Sequence, residues 1–279
     1  MNSDIPWSDR LAQFRRVLCA ALETSFYRPA LEQASVADPL LISRIEDIDE
    51  TLSRLPRCDL PTILEDFEAL FNSRAPRPSP SKLFYPLAAL PRTAILAPGF
   101  EENRRLRVFD QAPWRSLARW KPQAIAGPAG ALRALALAVR QGQVSLKPLT
   151  YPAVVFTGIE HGLLYASDRD LLWRVFGVPL FEQLRGLGGE LLAAECEAHH
   201  GLHVRSEEAL VELDSSSGVA EIIYTSLTSL QYPLLRLATG ISAGSLEMSC
   251  DCGSHVPRLS AIRRHIPRRA RTTAASAAD

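Results

Sequence analysis

The stretch AVVFTGIEHGLLYASDRDLLWRVFGVPLFEQ, residues 153–183, carries two periodicities in succession. Residues 153–158 form a short apolar run closed by Thr157-Gly158, which reads as a strand. DRDLLWRVFG, residues 168–177, reads as a helix that ends at Gly177. The same alternation lies upstream. TAILAP (93–98) and QAIAG (123–127) are short strands, and AGALRALALAVRQG (129–142) is a helix closing at Gly142. Strand, helix, strand, helix implies an α/β fold, a parallel sheet with covering helices.

Further out the pattern changes on both sides. From Trp7 to about Ser25, Leu11, Phe14, Val17, Leu18, Ala21 and Leu22 recur at helical spacing, with Ser8 as the expected cap. ISRIEDIDETLSRLP and DLPTILEDFEALFNS add short helical pieces, the latter with acidic residues in its first turn, where the helix dipole favours them. RAPRPSPSKLFYPLAALPR is too rich in proline for a helix interior or a central strand and reads as a connector. Beyond Gly201 the period shifts toward two, with ALVELD, a turn at SSSG and AEIIYTSL forming an antiparallel hairpin. The expected divisions are an N-terminal helical region (1–75), a proline-rich connector (76–110), an α/β core with a metal staple (111–265) and a disordered basic tail (266–279).

A chain of 279 residues with 47% hydrophobic residues buries a sizeable core. Its 31 basic and 31 acidic residues cancel, so no field selects nucleic acid or an anionic membrane. Arg263, Arg264, Arg268, Arg269 and Arg271 lack interleaved aromatics and an amphipathic period, and read as a solvated tail. No apolar run reaches membrane-spanning length, and MNSDIPWSDR has acidic residues where a secretion signal needs positive charge, so a soluble, cytoplasmic protein is expected. The aromatic set Trp114, Trp120, Trp173 and Tyr224 is read as core, and His161 as part of a solvated loop.

Five cysteines, an odd number, argue for reduced thiols or metal ligands over a disulfide framework. Cys19 and Cys58 read as structural thiols. Cys196, Cys250 and Cys252 with one imidazole make a Cys3His set, a common closed tetrahedral zinc site. Cys-x-Cys-Gly brings two sulfurs together from one tight turn, and His200, His203 and His255 are candidates for the fourth position. The alternatives are three unrelated buried thiols, or a catalytic Cys196 with His199 or His200 as base.

Several blocks resemble the phenylacetate-CoA ligases and their relatives among the adenylate-forming enzymes. They are FYRPALEQA, LSRLPRCDLP, LARWKPQAIAGPAGALRALA, residues 153–183, AAECEAHHGLHV, AEIIYTSLTSLQYPLLRLATG and CDCGSHVPRLSAI, spread over residues 11–75 and 111–265. The resemblance implies the fold of that family's large N-terminal domain. It also implies a two-step reaction: a carboxylate attacks the α-phosphate of ATP, and the thiol of coenzyme A then displaces AMP. The family's cysteine followed by Gly-Leu-His, with a later Cys-x-Cys, makes His203 the first choice as fourth ligand beside Cys196, Cys250 and Cys252.

The sequence departs from the family where nucleotide is held. No Ser/Thr/Gly-rich phosphate loop with its lysine is found, the corresponding region being the proline-rich connector. The Tyr-Gly-x-Thr-Glu block falls on Leu184, Arg185, Gly186, Leu187 and Gly188, with Glu190 two positions beyond as a partial substitute for the lost carboxylate. In Arg-x-x-Thr-Gly-Asp this chain has Arg236, Thr239 and Gly240 followed by Ile241, which cannot accept from a ribose hydroxyl. The sequence ends about where the family's mobile C-terminal domain, with its catalytic lysine, is expected to begin. A shortened, non-catalytic relative is therefore expected, stapled by structural zinc and retained to bind an acyl group, a carrier or a protein partner, with oligomerisation possible. The alternative is an acyl-CoA ligase or ligase subunit using ATP, magnesium and coenzyme A, completed by a partner chain. Its remaining cleft near Thr157, Gly158, Arg236 and Thr239 would bind AMP or an acyl-CoA.

Overall fold

The computed structural model describes residues 6–111, 114–215, 220–244 and 249–264. The chain opens with α1 (Trp7–Leu22), α2 (Arg28–Gln33), α3 (Pro39–Ser43), α4 (Ile48–Arg54), β1 (Cys58–Asp59), α5 (Leu60–Glu65) and a 3-10 turn, Phe67–Leu70. β2 (Thr93–Ile95), β3 (Leu106–Val108), α6 (Arg115–Trp120), β4 (Ala124–Pro128), α7 (Ala129–Arg140), β5 (Ala153–Gly158), α8 (Ala166–Phe176) and β6 (Leu180–Arg185) follow. The remainder is β7 (Leu191–Glu195), β8 (Leu202–Val204), β9 (Ala209–Asp214), β10 (Glu221–Ser226), β11 (Leu237–Ser242), β12 (Arg258–Leu259) and β13 (Arg263–Arg264).

α1 buries Phe14, Val17, Leu18, Ala21 and Leu22, the face its spacing predicts. Its start differs from expectation. Ser8 lies inside the helix, and the flanking residue is Pro6, whose ring fixes φ at −51° with extended ψ and which offers no side-chain cap. Caps do form at α4 and α5, where Asp47 accepts from the Glu50 amide and Asp59 from the Thr62 amide, each at 2.9 Å. The acid of α5 thus stands at the cap and not in the first turn.

Eight strands form the larger sheet in the order β12-β8-β7-β6-β5-β4-β2-β3. Pairing is parallel from β3 through β6 and antiparallel from β6 through β12. Because successive strand residues point to opposite faces, Ile125 and Val155 pack against Leu117 of α6, Leu132 and Leu135 of α7 and Leu172 of α8. Ala126, Val154 and Phe156 face the other way, onto Ile95, Phe100 and Leu106. Gly177 closes α8 in the left-handed region at φ +65°, as its position predicted. Trp114 and Tyr224 are core residues, whereas Trp173 is 55% exposed on the outer face of α8.

The smaller sheet has the order β1-β11-β10-β9, with β13 also pairing β11. The expected hairpin is present, running from Asp214 opposite Glu221 to Ala209 opposite Ser226; residues 216–218 of its turn lie outside the described residues. The N-terminal region is not a separate helical layer. β1 pairs in parallel with β11, and Phe14, Leu18, Leu31 and Leu52 share one core with Tyr224, Leu237 and Leu259. The 76–110 stretch is likewise more than a connector, since β2 and β3 extend the larger sheet. Arg263 and Arg264, expected in a solvated tail, form β13; the predicted tail at 266–279 lies outside the described residues. Among the described residues no helix is long and apolar enough to cross a membrane.

Candidate metal centre and cleft residues

β7 ends at Glu195 and delivers Cys196 into the turn that leads to β8. His203 lies in the middle of β8, opposite Arg258 of β12, and a tight turn before β12 carries Cys250 and Cys252. The larger sheet therefore gathers four groups that are up to 56 residues apart. One ligand atom from each of Cys196, His203, Cys250 and Cys252 lies within 4.8 Å of all the others.

The sulfurs of Cys196 and Cys250 are 3.6 Å apart, and the Cys252 sulfur lies 3.4 Å from His203 Nε2. Zn–S bonds of about 2.3 Å and Zn–N bonds of about 2.0–2.1 Å set tetrahedral edges of roughly 3.5–3.8 Å, so the spacing suits such an ion. His203 Nδ1 lies 3.2 Å from the Val256 carbonyl, a contact that places the ring proton on Nδ1 and turns the Nε2 lone pair toward the sulfurs. Burial holds His203 below the ordinary imidazole value, favouring the neutral form a metal requires. Arg258 binds the His200 carbonyl at 2.6 Å and also the Ser249 carbonyl, so one buried guanidinium ties together the two loops that carry the cysteines.

A catalytic thiol finds no support in this geometry. Burial, with crowding by Cys250 and Cys252, pushes the Cys196 thiol up to about 12, the opposite of what a nucleophile needs. His199 contacts Glu195 at 3.0 Å and His200 contacts Asp251 at 3.1 Å, so neither proposed base is directed at Cys196. His200 and His255 stand outside the four-residue cluster.

The four cleft residues have internal partners. Thr157, fully buried at the end of β5, donates to Glu182 Oε1 at 2.9 Å. Gly158 has φ +139°, and a Cβ there would lie 2.1 Å from the Arg185 carbonyl oxygen. Arg236 is held by Leu55 O at 2.6 Å and by both oxygens of Glu212, at 3.3 and 3.1 Å. Thr239 donates to Ile222 O at 2.7 Å. Thr157 and Gly158 belong to the larger sheet, Arg236 and Thr239 to the segment and strand of the smaller one.

Beyond the carboxyl ends of β5 and β6, where open α/β sheets take their ligands, the chain packs its own residues. The Arg185 guanidinium, 1% exposed, sits 4.6 Å from the Phe156 ring and 5.0 Å from the Phe100 ring. Gln183 donates to the Phe84 carbonyl at 2.6 Å, and Ser81 pairs with Phe100, drawing the proline-rich strap across this edge. The turn 186–189 is equally filled. A Cβ at Gly188 would meet Glu190 Oε1 at 2.6 Å, because the Glu190 carboxylate tucks beneath the turn and accepts from the Gly188 amide at 3.0 Å. Glu190 is 3% exposed and therefore a poor substitute for a solvent-facing, metal-binding carboxylate. A 430 Å³ cavity remains between α1, the strap and this turn, its lining including Arg16, Arg77, Lys82, Glu190 and Glu208.

The plug and a second network escaped the sequence reading. Arg169 of α8 bridges Glu182 at 2.9 Å and Glu195 at 3.1 Å, and the Glu182 amide donates to Glu195 at 2.7 Å. Acidic residues inside the apolar runs of β6 and β7 were the available signal.

No family profile matches the sequence, and no curated protein matches it significantly. Solved structures do. Crystal structures of 2-hydroxyisobutyryl-CoA ligase match in the postadenylation state with R3-HIB-AMP (TM-score 0.65, 16% identity, 94% of this chain and 69% of that one). The thioesterification state with 2-HIB-AMP and CoA gives 0.64 and 15% identity over 95% and 69%. The open conformation gives 0.63 and 17% over 90% and 68%. At this identity the likeness is one of architecture: the chain shares the mixed α/β fold, a parallel sheet with covering helices, of these 2-hydroxyisobutyryl-CoA ligase structures.

Proposed function

We propose that this chain is a ligase-like protein that does not form acyl-adenylates and works as a binding or accessory protein for an acyl group, an acyl carrier or a protein partner. A zinc ion held by Cys196, His203, Cys250 and Cys252 serves as its structural staple. The observation that carries the reading is the contact of Arg185 with Phe100 and Phe156, which fills the carboxyl-end crevice from within. Adenylate chemistry needs donors that meet pyrophosphate charge as it develops. Here Thr157, Arg236 and Thr239 spend their donors on internal acceptors, and Ile241 is buried and apolar. The staple reading draws on the convergent donor set and the oriented His203 ring.

Two measurements on the purified protein test this. Elemental analysis should return one zinc per chain, lost in Cys250→Ser. Calorimetry with ATP and AMP, and a pyrophosphate-release assay with carboxylic acids and magnesium, should give no signal. Micromolar, magnesium-dependent ATP binding or turnover would replace this reading with that of a ligase or ligase subunit using ATP and coenzyme A.

A further inference from the structure

We propose that the Cys3His cluster is a peroxide-responsive switch, in which a two-electron oxidant joins Cys196 to Cys250 and the ion is released. This rests on the zinc reading above. The two sulfurs lie 3.6 Å apart and arise from two separate loops, after β7 and before β12. Arg258 holds both loops by their carbonyls, at His200 and Ser249, so the pair stays opposed through protein contacts that do not involve the metal. Both cysteines are partly exposed, which gives a small oxidant access.

The chemistry balances with hydrogen peroxide as oxidant. The Cys250 thiolate attacks one peroxide oxygen, the O–O bond breaks, and hydroxide leaves to give a sulfenic acid. Cys196, which ligation to the proposed zinc would hold as a thiolate, then attacks that sulfur, an S–S bond forms, and the second hydroxide departs. Two protons from solvent convert the hydroxides to water. Sulfur is oxidised by two electrons and peroxide is reduced by two. His203 and Cys252 are left as the only protein donors, half of a tetrahedral set, and zinc dissociates. Cys58 is no competitor, since it is buried at the start of β1 and stands outside the four-residue cluster.

The test uses the full-length protein purified under reducing conditions. Zinc is quantified before and after hydrogen peroxide, free thiols are counted, and the disulfide is located by peptide mapping. The expected result is loss of one zinc and two thiols per chain, a Cys196–Cys250 linkage, and recovery of both on reduction with added zinc. Cys252→Ser and Cys196→Ser separate the roles: the first still forms the linkage, the second does not. No zinc before oxidation overturns the metal reading and the switch with it. Zinc present and retained after peroxide, or a disulfide that includes Cys252, overturns the switch alone.

Discussion

The Tyr27 hydroxyl accepts a hydrogen bond from the Leu235 amide at 3.0 Å, although 208 residues separate them. Tyr27 follows α1 and Leu235 precedes β11, and both are buried, so this bond closes the shared core of the N-terminal helices and the smaller sheet. Tyr27→Phe leaves the ring packing intact but orphans a buried amide, which costs about 1–3 kcal/mol. Equilibrium denaturation should show one cooperative transition shifted to lower denaturant. A second, separate transition for the N-terminal helices would contradict a common core.

Gly158 is fixed by geometry at the end of β5. Its φ of +139° disfavours any side chain, and a Cβ would lie 2.1 Å from backbone oxygen on β6, an atom that cannot rotate away. Gly158→Ala should cost about 1–3 kcal/mol in backbone strain alone, with the clash adding to it. Thermal unfolding measures the loss. Wild-type stability in that variant would mean that β5 and β6 are not paired as found.

The contrast between α8 and the cleft residues shows what the sequence could tell. α7, α8, β4, β5 and the β9–β10 hairpin depend on periods of 3.6 or 2 and on local stops such as Gly177, all of which lie within about a dozen residues. The convergence of Cys196, Cys250 and Cys252 was legible for a related reason, since Cys-x-Cys and the block around Cys196 restrict the chemistry before any fold is known, whereas His203 was singled out from His200 and His255 only by the family resemblance. β1 and β13 were not legible, because two-residue strands carry no period and exist only through β11. Nor was the fate of Arg236, whose partners Leu55 and Glu212 lie 181 and 24 residues earlier in the chain. The Arg185 plug depends on Phe100, which is remote in sequence and enters a strap that proline content marks only as irregular.

Glu190 makes stability depend on pH. Burial foremost, with Glu208 nearby, holds its carboxyl above the ordinary value of 4.5. The folded state therefore keeps the proton that the unfolded chain releases, and the associated stabilisation, fully present below about pH 4.5, is lost as pH rises through the folded value. Glu190→Gln retains an acceptor for the Gly188 amide and removes the titration. Its stability relative to wild type should rise from pH 4.5 toward neutrality and then level off. Parallel stability curves for the two proteins across that range would show that Glu190 is not buried as a titrating group.

Removing the zinc proposed above should affect one edge of the molecule before the rest. Cys196, His203 and the Cys250–Cys252 turn border β7, β8 and β12, and β12 is two residues long, paired only at His203 and Leu202. A chelator should thus accelerate hydrogen exchange at residues 202–204 and 258–259 while β4 and β5, deep in the parallel portion, keep their protection. If zinc is saturated a hundredfold above its Kd, its loss lowers global stability by about 2.7 kcal/mol. Arg258→Ala separates loop positioning from metal ligation: it leaves all four ligands in place but frees the His200 and Ser249 carbonyls, so zinc should bind more weakly at unchanged stoichiometry. Uniform exchange across both sheets on chelation, or an Arg258→Ala protein with unaltered zinc affinity, would show that the site is not the staple of this edge.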